Sequence, residues 1–428
     1  MTSESPSSLN SPAVSHLSRK MALLVIFLTV FIDLIGFGMV LPLLPLYAEQ
    51  FGTDESGLVL GLLMSSFSAM QFLFAPWWGR LSDRIGRRPV LMIGLAGSVI
   101  FYGLFGIATV WGSLPLLFIS RIGAGMAGAT ISTAQAYISD VTSNEQRTRG
   151  MALIGAAFGL GFTLGPMFAY FALWGKADQP GAGPGYVASG LSLVALVLAY
   201  FYLPESRQLR PAGKTSQRES VAKGLRISLA IPSVALLILV TFFGVLAFAG
   251  FESTLSLLLH LSRENNLQET CLIFAFIGLV GTISQGVLVR TLARFVPDSL
   301  LAIGGTLCQA LSFFMLSQSG PGSPPAFLFA GLTLLAVGFS FFNTSMNALI
   351  SRRSDPNRQG IVLGFLQSST ALARILGPIL GLLIFKQLSP TTPMLASGLL
   401  MIFVFFLVLL ALRQGEDFVP FVQEKASS

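Results

Sequence analysis

Apolar runs of about membrane-crossing length recur along almost all of the 428 residues, and this repetition decides the fold class. A helix needs about 20 predominantly apolar residues to cross the hydrocarbon core. Twelve runs approach or exceed that length, at 21–48, 57–78, 89–109, 112–139, 150–173, 186–203, 229–261, 268–289, 299–317, 325–350, 360–385 and 392–412. Soluble domains carry about 25% charged residues; here the share is 11%, with 53% hydrophobic. The first run is too long for a signal-peptide core and no small-residue cleavage site follows it, so it reads as a span. Residues 1–20, rich in Ser and Pro, read as a disordered tail.

The basic residues alternate with the spans. With the amino terminus in the cytoplasm, the cytoplasmic segments hold Arg19 and Lys20, the group Arg80, Arg84, Arg87 and Arg88, Arg147 and Arg149, six residues between 204 and 228, Arg290 and Arg294, Arg352, Arg353 and Arg358, and Arg413 and Lys425. These are 21 of the 26 lysines and arginines; the other side keeps Lys176, Arg263 and Lys386. The positive-inside rule therefore places both termini in the cytoplasm. The net charge of +7 follows topology and gives no reason to expect a nucleic-acid partner.

The longest charged connection, PESRQLRPAGKTSQRESVAKGLR (204–226), divides the spans six and six. A shift of 212 lays AYISDVTSNEQR (136–147) over ALISRRSDPNRQ (348–359) and LGP at 164–166 over LGP at 376–378. A shift of 207 pairs GRLSDRIGRR (79–88) with GVLVRTLARF (286–295). Two homologous six-helix bundles account for these matches. The expected organisation is a tail at 1–20, bundles at 21–203 and 229–412, a cytoplasmic linker at 204–228 and a tail at 413–428.

Several functions are disfavoured. Two cysteines, Cys271 and Cys308, supply no disulfide framework or zinc cluster, and two histidines, His16 and His260, supply no multi-histidine metal site. No G-x-x-x-x-G-K-[ST] loop is present, so ATP-driven transport would need another subunit. No Ser/His/Asp set lies on aqueous loops, so an enzyme is not expected.

The segment GRLSDRIGRR reads as a short cytoplasmic turn in which Gly79 and Gly86 permit tight chain reversal. Asp83 is one acid among Arg80, Arg84, Arg87 and Arg88, able to pair locally or reach another helix end; the plainer alternative is a loop that only sets topology. Inside the spans stand Asp33, Arg121, Glu252 and Arg374, with His260 near a helix end, while the third, sixth, ninth and twelfth spans carry no charge. A charged side chain at the bilayer centre costs about 2.5–3.5 kcal/mol even on insertion scales. Apolar surroundings favour the neutral form of a carboxyl and a guanidinium favours the ionised form, so Asp33 can be a proton carrier. The alternative is a fixed ion pair with Arg121 or Arg374. Glu252 is a proton site, a substrate contact or one half of a structural pair, and shares a helix face with Ser256; His260 is an interfacial residue or a relay. Arg121 keeps its charge and cannot itself carry the proton. Arg374 can serve the second half similarly or meet an anionic group on a substrate. Asn343, Asn347, Gln135 and Gln367 are substrate contacts or helix–helix hydrogen-bonding groups.

The pattern G-x-x-x-D-R-x-G-R-R resembles the loop signature of the major facilitator superfamily, and MQFLFAPWWGRLSDRIGRRPVL (70–91) resembles the same region of tetracycline/proton antiporters. Asp33, Gly36, Gly38, Pro42 and Pro45 resemble their first helix, RIGAGMAGAT (121–130) their fourth, GLGFTLGP (159–166) their fifth and LPESR (203–207) the exit from their sixth. The likeness runs nearly end to end and is strongest over 21–207. Arg290 stands where a second-half copy of Asp83 would, and Ala169-Tyr170 replaces the usual Gly pair. The resemblance implies an all-α membrane protein of twelve helices in two bundles, with the first, fourth, seventh and tenth helices facing a central cavity. It implies an antiporter hinge at Gly161, Gly165 and Pro166 and a substrate path at Gln71.

The expected function is export of an amphipathic small molecule in exchange for protons, with no cofactor beyond the coupling ion. Asp33 and Glu252, with Arg121 and Arg374, would couple protons. Gln71, Asn343, Asn347 and Gln367 would meet substrate. Gly79, Asp83, Arg84, Gly86, Arg87 and Arg88 would form the cytoplasmic gate, with Asp83 facing the amino-terminal end of the eleventh helix. A monomer in the inner or plasma membrane is expected, with the lipid bilayer, the substrate and protons as its partners. The alternatives are a proton-independent metabolite facilitator and a transport-inactive sensor or assembly partner.

Overall fold

The computed structural model describes residues 16–52, 55–142, 144–173, 181–206, 231–319, 322–355 and 359–415. Most of the linker 204–228 and the outer parts of both expected tails lie outside these residues, although the first helix already starts at His16. Among the described residues twelve helices are long and apolar enough to cross a membrane: span one Met21–Val40, two Leu58–Ile85, three Arg87–Val110, four Leu114–Val141, five Leu153–Ala172, six Gly183–Tyr202, seven Pro232–Arg263, eight Leu267–Leu292, nine Asp298–Ser317, ten Pro325–Arg353, eleven Gln359–Gln387 and twelve Thr392–Gln414.

Local chemistry sets several of these boundaries. Proline, whose missing N–H costs nothing in a first turn, opens spans four, six, seven, ten and twelve. Span eight starts with a capping box: Asn266 Oδ1 accepts from the Glu269 N–H at 2.8 Å, and Glu269 Oε2 accepts from the Asn266 N–H at 3.1 Å.

Two expectations need correction. The first run is not one helix to Ala48. It breaks after Val40 and resumes as a short helix at Leu44–Phe51, because Pro42 and Pro45 interrupt the hydrogen-bond ladder. GRLSDRIGRR is not mainly a turn. Gly79 to Ile85 continue span two, and Gly86 alone reverses the chain, with φ of 103°. A Cβ at Gly86 would come 2.5 Å from Glu205 Oε2, so conformation and space both demand glycine. Span eight is also irregular, carrying a π-helical segment at Ser284–Val289.

Spans one to six pack among themselves, span one on five and six, three on four and six, and two on four. In the second half, span seven packs on eleven and twelve, and span nine on ten and twelve. The halves meet where span two lies on eleven and span five on eight. Ser65 Oγ donates to the Ile375 carbonyl at 2.5 Å, Gln268 Nε2 to the Tyr170 carbonyl at 3.4 Å, and Thr282 Oγ1 to the Gly159 carbonyl at 2.9 Å. Lys386 pairs with Glu49 on the short helix. These contacts lie at mid-span or toward the end opposite the arginine-rich turns. Nearer those turns, a Cβ on Gly155, Gly286, Gly360 or Gly364 would meet no atom of a neighbouring helix within 4 Å among the described residues.

Candidate functional site

Asp33 lies in span one and is partly exposed. The Ser98 hydroxyl of span three donates to its Oδ1 at 2.7 Å, and Tyr102 of the same span reaches the Asp33 backbone carbonyl at 3.5 Å. A Cβ on Gly128 of span four would lie 3.5 Å from Asp33 Oδ2 and 3.2 Å from Gln71 Nε2. Gln71 donates to the Gly128 carbonyl at 3.3 Å. Asp33 and Gln71 are therefore neighbours across Gly128.

Arg121 does not pair with Asp33. It is 2% exposed, with its guanidinium over the rings of Phe67 at 4.5 Å and Phe37 at 5.6 Å. Its Nε and Nη1 have no hydrogen-bond partner among the described residues. Cation–π contact partly replaces the lost water. Tyr102 is within electrostatic range of both Asp33 and Arg121.

In the second bundle, Gly250 of span seven lies against Gly377 and Gly381 of span eleven; a Cβ on Gly381 would come 2.8 Å from the Gly250 carbonyl oxygen. This close packing brings Glu252 and Arg374 within electrostatic range. Arg374 and Gln367 are exposed, and Glu252 partly so. Asn347 Nδ2 donates to the Asn343 carbonyl at 2.7 Å, so part of this pair's hydrogen bonding is spent within span ten. His260 Nδ1 lies 3.1 Å from the Asn265 carbonyl oxygen, beyond the end of span seven, which is the interfacial arrangement rather than a relay.

The expected hinge packs on span one. A Cβ on Gly165 would come 2.7 Å from Gly38 Cα, and one on Gly161 would come 2.6 Å from Leu34 Cβ. Span five thus rests on the helix turn that follows Asp33, with Pro166 at the same contact.

At the arginine-rich end, Arg87 pairs with Asp83 at 2.7 Å and Asp140 at 3.2 Å, and donates to Ser82 Oγ at 2.6 Å. Glu205 accepts from the backbone N–H groups of Arg87 at 2.9 Å and Arg88 at 3.1 Å, fixing the start of span three to the end of span six. Asp83 is half exposed and Arg84 is exposed. Asp83 is paired with Arg87, and the contacts between spans two and eleven described above lie toward the other end of the molecule.

Sequence reasoning missed Ser98, Tyr102, Asp140 and Glu205. The two acids were visible in SDVTSNEQR and LPESR, but the hydroxyls gave no signal in a span without charge. Among the described residues no group of three or more His, Cys, Asp or Glu could hold a metal ion.

A profile of the Major Facilitator Superfamily matches residues 26–367 and 299–426. The chain belongs to that superfamily. Class C tetracycline resistance protein of Escherichia coli is 30% identical over 374 residues, covering 86% of this chain and 91% of the relative. The crystal structure of the human organic anion transporter MFSD10 (TETRAN) is similar at 27% identity and a TM-score of 0.68, covering 91% of this chain and 99% of that one. A bacterial homologue of the lysosomal transporter Spinster shares the fold at 14% identity and a TM-score of 0.78, covering 95% and 100%. This major facilitator protein is thus a secondary transporter that moves small molecules across a membrane, not an enzyme. Its twelve spans make it a multi-pass protein of the inner or plasma membrane.

Proposed function

We propose that the protein exports an amphipathic small molecule, tetracycline-like or of multidrug type, in exchange for protons by alternating access. The observation that carries this reading is Asp33, a carboxyl inside a span whose side-chain hydrogen bond comes from a hydroxyl, Ser98, and not from a cation. A hydroxyl can donate or accept, so the same partner serves the ionised and the protonated carboxyl. Gln71, across Gly128, places a polar contact for cargo beside the proton site. In the second bundle Glu252 is the further proton site, with Arg374 opposite it. The 27–30% likeness to tetracycline resistance proteins supports a place in the drug-export branch.

The arginine-rich end faces the cytoplasm, as do both termini, so the arrangement described is open inward and closed outward. Asp83 then latches onto the start of span eleven in the opposite state. The driving force suffices: one proton gains about 2.3 kcal/mol per 100 mV and about 1.4 per pH unit, which together sustain a several-hundredfold gradient of a neutral cargo.

A second reading is transport of an organic anion, favoured by the likeness to MFSD10 and by the exposed guanidinium of Arg374. Accumulation of tetracycline and of cationic, neutral and anionic dyes in efflux-deficient bacterial cells, with and without a protonophore, separates the two. Protonophore-sensitive export of tetracycline or of cationic or neutral dyes, abolished by Asp33→Asn, supports antiport. Handling of anionic dyes alone, lost in Arg374→Gln, supports the second reading. Export by Asp33→Asn equal to that of wild type removes Asp33 from coupling.

A further inference from the structure

Two adjoining cavities lie away from the intramembrane charges. Both lie on the outer face where span three meets span six. One, of about 470 Å³, is an apolar groove lined by Met92, Ile93 and Ala96 of span three and Leu196, Val197 and Phe201 of span six, among others. The other, of about 250 Å³, continues it at the arginine-rich end, shares Phe201, and is lined by Arg88 together with Met21, Tyr202 and Pro204.

The chemistry of this pair of cavities is graded. Tyr200, Phe201 and Tyr202 follow one another at the end of span six and are 58%, 71% and 56% exposed. Such aromatic bands settle at the level of lipid headgroups, which places Arg88 at headgroup depth and the groove below it at acyl-chain depth. Neighbouring Arg87 is committed to Asp83 and Asp140. Arg88 is not so committed. Its Nη2 donates to the Tyr200 carbonyl at 2.5 Å, its guanidinium stands 6.0 Å over the Tyr200 ring, and its Nε has no partner among the described residues. Glu205, the nearby acid, spends its carboxylate on the span three N–H groups and does not line the pocket.

We propose that this face holds one anionic phospholipid, its phosphate against Arg88 and one acyl chain in the groove between spans three and six. A guanidinium with unspent donor capacity, set at the mouth of an apolar channel, suits an acidic headgroup joined to a hydrocarbon chain. Because the bound lipid bridges the start of span three and the end of span six, it reinforces the joint that Glu205 makes at the Gly86 turn. The proposal does not depend on what the protein transports.

The test uses the full-length protein in nanodiscs and in mild detergent. Native mass spectrometry and thermal unfolding are followed with phosphatidylglycerol, phosphatidylcholine and inorganic phosphate. Wild type is expected to retain one phosphatidylglycerol through detergent washing and to be stabilised by it more than by phosphatidylcholine. Arg88→Gln should reduce that preference about fivefold, the worth of one basic side chain at an anionic membrane surface. Val197→Trp, at a lipid-facing position 45% exposed, should fill the groove and reduce retention of both lipids. Equal retention of the two lipids by wild type overturns the proposal, as does an unchanged preference in Arg88→Gln. Stabilisation by inorganic phosphate matching that by phosphatidylglycerol would make the pocket an ion site and overturn it too. Unchanged retention of both lipids in Val197→Trp rejects the groove as the chain site.

Discussion

A carboxyl held by a hydroxyl keeps a freedom that a guanidinium would remove. Ser98 can turn its O–H toward a charged Asp33 or accept a hydrogen bond from a neutral one, and Ser98→Ala should therefore slow proton-driven exchange without ending it. One neutral hydrogen bond is worth about 0.5–1.5 kcal/mol, a few-fold to tenfold in rate, and Ser98→Thr should recover most of it. Asp33→Asn should abolish coupling altogether. Substrate-driven proton flux in liposomes measures both, and a Ser98→Ala protein as inactive as Asp33→Asn would show that Ser98 does more than adapt to the carboxyl. At this scale the sequence was half legible. An aspartate inside an apolar run announces itself by its cost, so Asp33, Glu252, Arg121 and Arg374 could be found without a structure. Their partners could not. Ser98 and Tyr102 lie in the run 89–109, which holds no charged residue, and small hydroxyls cost so little in a helix that nothing marks them.

Helices in this protein approach most closely where glycines face backbone, and the same residue type stands elsewhere beside empty space. Gly165→Ala would push a Cβ to 2.7 Å from Gly38 Cα, an overpacking that costs about 1–3 kcal/mol. Gly155→Ala, on the same span with nothing within 4 Å, should leave the melting temperature unchanged or raise it, since alanine favours helix by about 1 kcal/mol. Thermal unfolding of the two purified variants compares them directly; equal melting temperatures would mean that the span one and span five contact yields. Hydropathy fixed the number and order of the spans, because lipid tolerates few other patterns. It was blind to their interruptions. The break at Leu41–Leu43 is written in Pro42 and Pro45, but the helical run through Gly79–Ile85 contradicts the usual weight given to a glycine, and the π segment at Ser284–Val289 has no signature in its residues.

The two halves touch through spans two and eleven and through spans five and eight, away from the arginine-rich turns. A disulfide joining cysteines placed at Ser65 and Ile375, where a side-chain oxygen and a carbonyl are 2.5 Å apart, should hold this arrangement. Oxidation is expected to stop transport and reduction to restore it. Transport that persists after complete cross-linking would mean that this contact does not open during the cycle. Asp83→Asn probes the opposite end: insertion and expression should stay normal while transport falls, and normal flux would remove Asp83 from the latch. The sixfold division and the excess of arginines on one side were readable from spacing and charge alone. Which helices of the two halves meet was not, because that depends on contacts such as Ser65 with Ile375, 310 positions apart.

The break in the first span has a mechanical meaning. Its long segment carries Asp33 and is bound to spans five and six, whereas the short helix Leu44–Phe51 touches spans two and four as well as span seven, stacks Tyr47 on Phe105 of span three, and bears Glu49, the partner of Lys386 on span eleven. A three-residue joint separates the two. The short helix straddles the seam, gripped by first-bundle partners on one side and by span seven and Lys386 on the other, so a shift of one half against the other would load the joint at Leu41–Leu43. The carboxyl stands about two helical turns before that joint, where a bend need not disturb its hydroxyl neighbour.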